Sequence, residues 1–484
     1  MYQRDRLYIG GEWVPSTGDD RLQVVNPATE EPTGHAPGGT PADLARAVGA
    51  ARAAFDGGRW PALSPSDRAE LLDALADELD GRADEIAEVI TAESGLPIRL
   101  VRLIHVGGPV ATLKYAASLA RTHPFEQDRQ GRLYRFRVRQ LPVGVVGAIV
   151  PWNIPLLGAC AKLGPALAAG CSVVLKPAAE TPLSSFYLAD AAEAVGFPPG
   201  VLNIVPADRE AGAHLVTNPG VDKITFTGST AAGKRIAAIC AEQVKRCALE
   251  LGGNAAAIVL DDADPMETAN HLVGMSLANN NGEACIVQGR VLVPERRAGE
   301  YVEALCAAAK GIPTGDPTDA RTMLGPMVTS QHRDRVMDYI RMGSHEGARL
   351  VHGGGRPVGL ERGWYVEPTV FDSADNNMRV VREEIFGPVV TVIPYRSDAE
   401  AVALANDTEY GLSGAVFSAD PQRATQAAHR IRAGSVYVNG AIMIEANAPF
   451  GGFKQSGIGR EGGPEGLAEY LETQSVFWPT TIPD

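Results

Sequence analysis

Two short segments, Glu250-Leu251-Gly252-Gly253 and Gly282-Glu283-Ala284-Cys285, bracket an apolar strand (Ala255 to Leu260) and a helix predicted to start at Asp264. A carboxylate at one end of this unit and a thiol at the other supply what covalent thiol chemistry needs, a nucleophile and a positioned acid or base. Both stand beside glycines, where the backbone turns tightly and admits a small reactant. A free cysteine alone is more often a small buried hydrophobe. Cys285 therefore gains its meaning from other segments.

Asn153 lies between Pro151 and Pro155 in Val150-Pro151-Trp152-Asn153-Ile154-Pro155, where a predicted strand ends. A side-chain amide fixed there is a donor for a developing oxyanion, although most isolated asparagines only cap turns. Lys176-Pro177 ends the next strand, the edge at which α/β sheets bind ligands, and its ammonium could reach a ribose or a phosphate. Phe226 to Gly233 ends a strand and opens a helix, with Gly228 and Gly233 spaced GxxxxG around Ser229. Such a turn lets a helix N-terminus approach a pyrophosphate, and an ordinary glycine-rich βα turn looks the same. Gly457-Ile458-Gly459-Arg460-Glu461-Gly462 matches GxGxxG by letter, but no predicted strand precedes it and no βαβ unit follows, so it is set aside.

The elements that must hold these residues are legible in order. Thr40-Pro41-Ala42-Asp43 and Ser64-Pro65-Ser66-Asp67 each open a helix with an N-cap, a first-turn proline and an acid at the third helical position. Leu71, Leu72, Leu75 and Leu79 follow at helical spacing, and Gly95 with Pro97 ends that helical pair. From Val143 the pattern turns strongly βα. Strand-like runs at 143–150, 172–176, 201–205 and 222–227 alternate with helical stretches at 156–169, 182–195, 208–217 and 230–242. Alternation of this kind predicts a parallel sheet covered on both faces. A second α/β run extends from about 255 to 440. Between Gly131 and Gln140, Tyr134, Phe136 and Val138 alternate with Arg135, Arg137 and Arg139, an amphipathic strand with a solvated or partner-facing arginine edge.

Composition limits the alternatives. A chain of 484 residues needs more than one core. The net charge of −14 opposes a general phosphate-backbone binder, so no nucleic-acid partner is expected. Six cysteines without a CxxC or a paired framework fit a reducing, cytoplasmic setting. Nine histidines without zinc-ligand spacing predict no metal. Leu141 to Ala161 is uncharged, but its prolines and glycines suit strand–turn–helix in a core better than a membrane span.

Together these motifs resemble the NAD(P)-dependent aldehyde dehydrogenase superfamily across nearly the whole chain. The resemblance is carried by Pro151 to Pro155, Lys176-Pro177 with Thr181-Pro182, Phe226 to Gly233, Glu250 to Gly253, and Gly282 to Cys285 with Arg290. It continues through Glu383-Glu384-Ile385-Phe386-Gly387-Pro388, Asn439, Pro449 to Gly452, and Lys454 through Glu461. It implies an α/β fold with a Rossmann-like cofactor domain (1–122 and 141–252), a catalytic α/β domain (253–445) and a small β oligomerisation unit (123–140 with 446–484). It also implies a cytoplasmic homo-oligomer, a dimer or tetramer, acting on a small-molecule aldehyde.

By that resemblance Cys285 attacks the aldehyde, Asn153 and the Cys285 backbone N–H hold the oxyanion, and Glu250 activates water to hydrolyse the thioester. Lys162 and Glu461 resemble a proton route behind Glu250. Lys176 and Glu384 resemble the groups that hold the two riboses of NAD, with Phe386 at the nicotinamide end. Pro151, Trp152, Gly228, Ser229, Gly233, Leu251 and Gly252 complete the cofactor site.

Three departures from the family pattern carry expectations. Glu283 replaces the usual glutamine, and its carboxylate is expected to face away from the thiol or to pair with a base. Ala179 replaces a glutamate that grips the 2′-hydroxyl, with Glu180 one step later, which leaves room for NADP beside NAD. Gly158 and Ala161 replace bulky residues, which predicts room for a long or bulky aldehyde. Two other readings stand beside this one: a CoA-acylating relative, opposed by Glu250, and a catalytically silent protein on the same fold, opposed by intact Asn153, Glu250 and Cys285.

Overall fold

The computed structural model describes residues 2–440 and 445–479. Residues 1, 441–444 and 480–484, which the expected domain ranges include, lie outside the described residues.

The helix starts follow from local chemistry. Thr40 and Ser64 both form reciprocal capping boxes, with Asp43 and Asp67 returning to the cap backbone and proline at the first turn. Each cap satisfies donors that the helix cannot, worth about 1 kcal/mol. Leu72, Leu75 and Leu79 are buried, and Gly95 ends the next helix in the left-handed region at φ 76°.

The βα run builds an eight-stranded sheet in the order Gly457–Ile458, Arg246–Glu250, Lys223–Thr227, Val145–Ile149, Ser172–Lys176, Leu202–Ile204, Leu7–Ile9 and Glu12–Val14. The five middle strands of this order, from Arg246–Glu250 to Leu202–Ile204, are parallel, and Val145–Ile149 and Ser172–Lys176 are buried at every position. Strands covered on both faces must be apolar throughout, which is why they read as continuous hydrophobic runs. The predicted helix over 182–195 is shorter, Phe186–Ala194. Gly457–Ile458, set aside as a turn in the sequence, is a short edge strand antiparallel to Arg246–Glu250. Nothing in its composition separates it from a loop; Gly457 pairs with Glu250 only once the chain has returned to that edge.

A second sheet of seven strands spans Ala256 to Val438 and is parallel except at Arg349–His352. A third, small sheet pairs Tyr134–Pro142 with Glu126–Gln130 and with Leu471–Pro479. Its arginine face is ion-paired within the sheet: Arg137 faces Asp128 and Arg139 faces Glu126 across the strands, at 2.7 and 2.9 Å. No helix among the described residues is long and apolar enough to cross a membrane.

Candidate active site

Parallel register gathers the chemistry at one edge. Ile149 pairs with Lys176, Phe226 with Ile149, and Thr227 with Glu250, so the segments after these strands all emerge on the same side. That carboxyl edge is where open α/β sheets hold ligands. The link from Glu250 to the second sheet is short, and its glycines permit close approach. A Cβ on Gly253 would lie 2.2 Å from the carbonyl oxygen of Cys285, and one on Gly252 would lie 2.4 Å from Glu384 Oε2. The carboxylate segment therefore runs directly along the thiol segment.

A cavity of about 350 Å3 opens here. Its walls include Pro151, Trp152 and Asn153 from one loop, Gly228 and Ser229 from a helix start, Leu251 and Gly252, Cys285, and Glu384 with Phe386. Ser229 caps the helix Thr230–Glu242 by accepting from the Ala232 N–H. Trp152, His332 and Phe386 form an aromatic corner with ring centroids 5.2 to 5.9 Å apart. Glu250 lies behind this wall, 5% exposed, with Oε2 free of any hydrogen bond. Lys162 is buried and donates to Thr227 Oγ1 at 2.6 Å and to Glu461.

Glu250, Lys162 and Glu461 do not line the cavity, and three expected cofactor residues also stand outside its walls. The Lys176 ammonium is buried and donates to the carbonyls of Pro177 and Ala207, both at 2.7 Å. Ala179 is half-buried beside exposed Glu180. Gly233 sits one turn into its helix, where a Cβ would meet Leu251 Cδ2 at 2.4 Å, so packing against Leu251 accounts for it.

Asn153 is fixed in orientation. Its Nδ2 donates to the Glu283 carbonyl at 2.8 Å, which leaves its second N–H to point elsewhere. The Glu283 side chain turns away from the sulfur: Oε1 accepts from the Val328 N–H at 3.0 Å and lies 3.6 Å from His332 Nε2. The structure thus gives the first half of the expectation and not the second: burial pushes His332 down to about 4 and its Nε2–H goes to the Phe386 carbonyl, so it makes no ion pair with Glu283.

Burial dominates the electrostatics. It raises the Cys285 thiol, with Glu384 and Glu250 adding to the rise, while the cysteine's own backbone N–H opposes it. The Glu250 carboxyl is held well above the usual range by burial first and by Glu461 next, with Lys162 pulling it down. Burial also pushes Glu384 up to about 7 and Lys176 down to about 8. Buried ionisable groups shifted by burial and by named charges, gathered around one cavity, mark it as a candidate catalytic site.

Arg209, His332 and Arg335 also line the cavity. Arg335 donates to the carbonyls of Ile385 and Glu384, and His332 Nε2 donates to that of Phe386 at 2.7 Å. One helix thus grips three successive carbonyls and holds Phe386 at φ 64°. None of these residues is marked in the sequence, because a polar position on a solvent-facing helix gives no local signal. The spacing of His332 and Arg335, one helical turn apart, was the only available hint.

Residues 13–476 match the family model described as the aldehyde dehydrogenase family. The chain is similar to geranial dehydrogenase of Castellaniella defragrans, 45% identical over 97% of this chain and 98% of the relative. Its fold is similar to an aldehyde dehydrogenase of Mycobacterium tuberculosis complexed with NAD+, with TM-score 0.97, 42% identity and full coverage of both chains. It is likewise similar to a mutant of aldehyde dehydrogenase C from Pseudomonas syringae in complex with NAD+ and octanal (TM-score 0.94, 40% identity, 98% and 96% covered).

Proposed function

The chain belongs to the aldehyde dehydrogenase family and oxidises aldehydes with NAD+, and from that premise we propose that Cys285 is its nucleophile, Asn153 its oxyanion donor and Glu250 its hydrolytic base. The observation that carries this is the cavity wall shared by Cys285 and Asn153, with the Glu250 carboxyl buried behind it.

As a thiolate, Cys285 bonds through its sulfur to the carbonyl carbon, and the carbonyl π pair moves onto the oxygen. The oxygen then takes the negative charge, facing the free N–H of Asn153 and the Cys285 backbone N–H. Each preorganised donor contributes about 2.7–4 kcal/mol to such a transition state. NAD+, when held by the wall that Gly228, Ser229, Gly252, Glu384 and Phe386 form, would supply the acceptor for the hydride that leaves the former aldehyde carbon. Glu250 then takes a proton from water as the water oxygen attacks the thioester, and the C–S bond breaks to return the thiolate. Lys162 and Glu461, paired with each other and both acting on the charge of Glu250, offer that proton a route outward.

The wall fits a dinucleotide. Gly252 leaves the space against Glu384 that a Cβ would fill, Glu384 suits one ribose, and Gly228 and Ser229 suit the pyrophosphate; Lys176 stands outside this wall, and with two of its hydrogens on the carbonyls of Pro177 and Ala207 it has one left for the other ribose. Pro151, Trp152, Leu251 and Phe386 supply apolar surface. Ala179 places no carboxylate against a 2′-phosphate, so we expect NAD first and NADP tolerated.

For the substrate we infer a long-chain or bulky aldehyde. Ile154, Leu157 and Ala161 are partly exposed along one face of the helix that follows Asn153, with Gly158 between them. Relatives named for geranial and bound to octanal support this. The small sheet, with exposed Leu133, Tyr134 and Phe477, supports assembly through its edge into a dimer or tetramer. Six free cysteines support a reducing, cytoplasmic setting.

The deciding experiment follows NADH formation over aliphatic, terpenoid and aromatic aldehydes, with and without CoA. Acid as the product in both cases, with octanal and geranial ahead of acetaldehyde in kcat/KM, is the expected result. Acyl-CoA formation would remove the role given to Glu250, and a preference for acetaldehyde would remove the substrate class.

A further inference from the structure

We propose that His105, which lies outside the cavity walls, is a positioning residue for the oxyanion amide: it holds Asn280, and Asn280 holds the backbone of both Asn153 and Glu283. The inference rests on the role given above to Asn153.

The chain approaches Cys285 through an unusual turn. Asn280 (φ 51°, ψ 35°) and Asn281 (φ 58°, ψ 23°) are both left-handed, and Gly282 follows at φ 75°. For residues with a side chain, this conformation costs on the order of 1–2 kcal/mol each and persists only where surrounding contacts fix it. Asn281 is fixed by backbone alone. Its Nδ2 donates to the carbonyls of Gly95 and Pro326 at 3.1 and 3.0 Å, and its Oδ1 accepts from the Gly325 N–H at 2.8 Å.

Asn280 is fixed differently. Its Nδ2 donates to the carbonyls of Asn153 and Glu283, both at 3.0 Å, and its Oδ1 lies 2.7 Å from His105 Nε2. The Glu283 carbonyl is also the acceptor for the Asn153 side chain. One carbonyl thus receives both asparagines, and one imidazole orients the asparagine that carries no catalytic duty.

The tautomer follows from the partners. With both Nδ2 hydrogens of Asn280 donated to carbonyls, its Oδ1 must face the ring, so His105 must present N–H at Nε2. The ring is 1% exposed, and burial pushes it down to about 4, so it is neutral and carries a single proton. Nδ1 is then a bare lone pair, and it has no hydrogen-bond partner. His105 comes from the π-helical turn Val101–Val106, a backbone form found often at functional sites. The link is a neutral donor of fixed direction. Its loss would leave Asn280 Oδ1 unpaired in a buried place and free the amide to rotate.

Three substitutions separate positioning from bulk packing. In His105→Gln the side-chain amide nitrogen stands the same number of bonds from Cα as Nε2. In His105→Asn it stands where Nδ1 was, and His105→Leu has no donor. The readout is single-turnover NADH formation at saturating NAD+ and aldehyde, together with the KM for NAD+, with Asn153→Ala run in parallel. We expect the Leu and Asn variants to lose roughly 10- to 100-fold in this rate, the scale of a misplaced reacting group. The Gln variant should recover most of the rate, and the KM for NAD+ should not move. In the Asn153→Ala background, His105→Leu should add little.

Equal rates for the Leu variant and the parent overturn the proposal. So do equal rates for the Gln and Asn variants, or a loss that adds fully to that of Asn153→Ala. If the Leu variant does not fold, the Gln and Asn comparison still decides. Full activity of Asn153→Ala would instead remove the oxyanion reading on which the proposal stands.

Discussion

Gly253 runs against Cys285 so closely that a Cβ on the glycine would lie 2.2 Å from the cysteine's carbonyl oxygen. A methyl group cannot fit there without moving the backbone that carries the thiol. Gly253→Ala should therefore fold and bind NAD+, yet lose about 100-fold in kcat, the scale of a misplacement near 1 Å. Steady-state kinetics beside cofactor titration checks this. Parent-like kcat would show that the two segments can separate without cost.

Glu250 must be ionised to take a proton, so hydrolysis should rise with pH and level off above its pKa. Lys162 pulls that pKa down and Glu461 raises it. Lys162→Met removes the cation and should move the limb to higher pH. Glu461→Gln removes the repelling charge and frees Lys162, which should move it to lower pH. Profiles of acid release after the NADH burst, from about pH 6 to 9, read both shifts. Movement in the same direction for both variants would deny the coupling.

Glu283 offers a stability test. Its carboxyl is buried and raised well above 4.5, with the Val328 N–H opposing. The sign follows from linkage. Below 4.5 the carboxyl is protonated in both folded and unfolded chains and costs nothing extra. Above it the unfolded chain ionises first, and the folded state loses stability as pH climbs through the folded pKa. Glu283→Gln keeps the acceptor for Val328 and has no charge to bury. Its Tm should match the parent near pH 4 and exceed it by roughly 2 °C or more near pH 8. A gap that closes with rising pH would reverse the assignment.

The open helix face gives a specificity test. Ala161→Trp should narrow the approach along Ile154 and Leu157 and lower kcat/KM for geranial and octanal by about tenfold or more, leaving acetaldehyde within about twofold, since a filled apolar site discriminates by about 1–3 kcal/mol. Uniform losses across chain length would place the substrate elsewhere.

Assembly can be read independently. Phe477 is 57% exposed on the small sheet and packs on Phe136 at 5.1 Å between ring centroids. Phe477→Asp should shift sedimentation toward a smaller species, because a charge at the centre of an apolar contact is left unpaired. An unchanged sedimentation profile would move the interface off this sheet.

The sequence by itself determined the elements and the chemical inventory, for reasons that are local. Strands buried on both faces must be apolar, so Val145–Ile149 and Ser172–Lys176 were legible as runs. Capping needs Thr40 with Asp43, and Ser64 with Asp67, at fixed spacing. Cys285, Asn153 and Glu250 each stand at a glycine- or proline-marked turn. Only the tertiary structure decided what depends on distant segments meeting. It seated Gly457–Ile458 beside Glu250, turned the Glu283 carboxyl toward Val328, and brought His332 and Arg335 under the carbonyls of residues 384–386. His105 reaches Asn280 only because two turns far apart in the chain pack together, and a hydrogen bond of that kind leaves no periodicity in either segment.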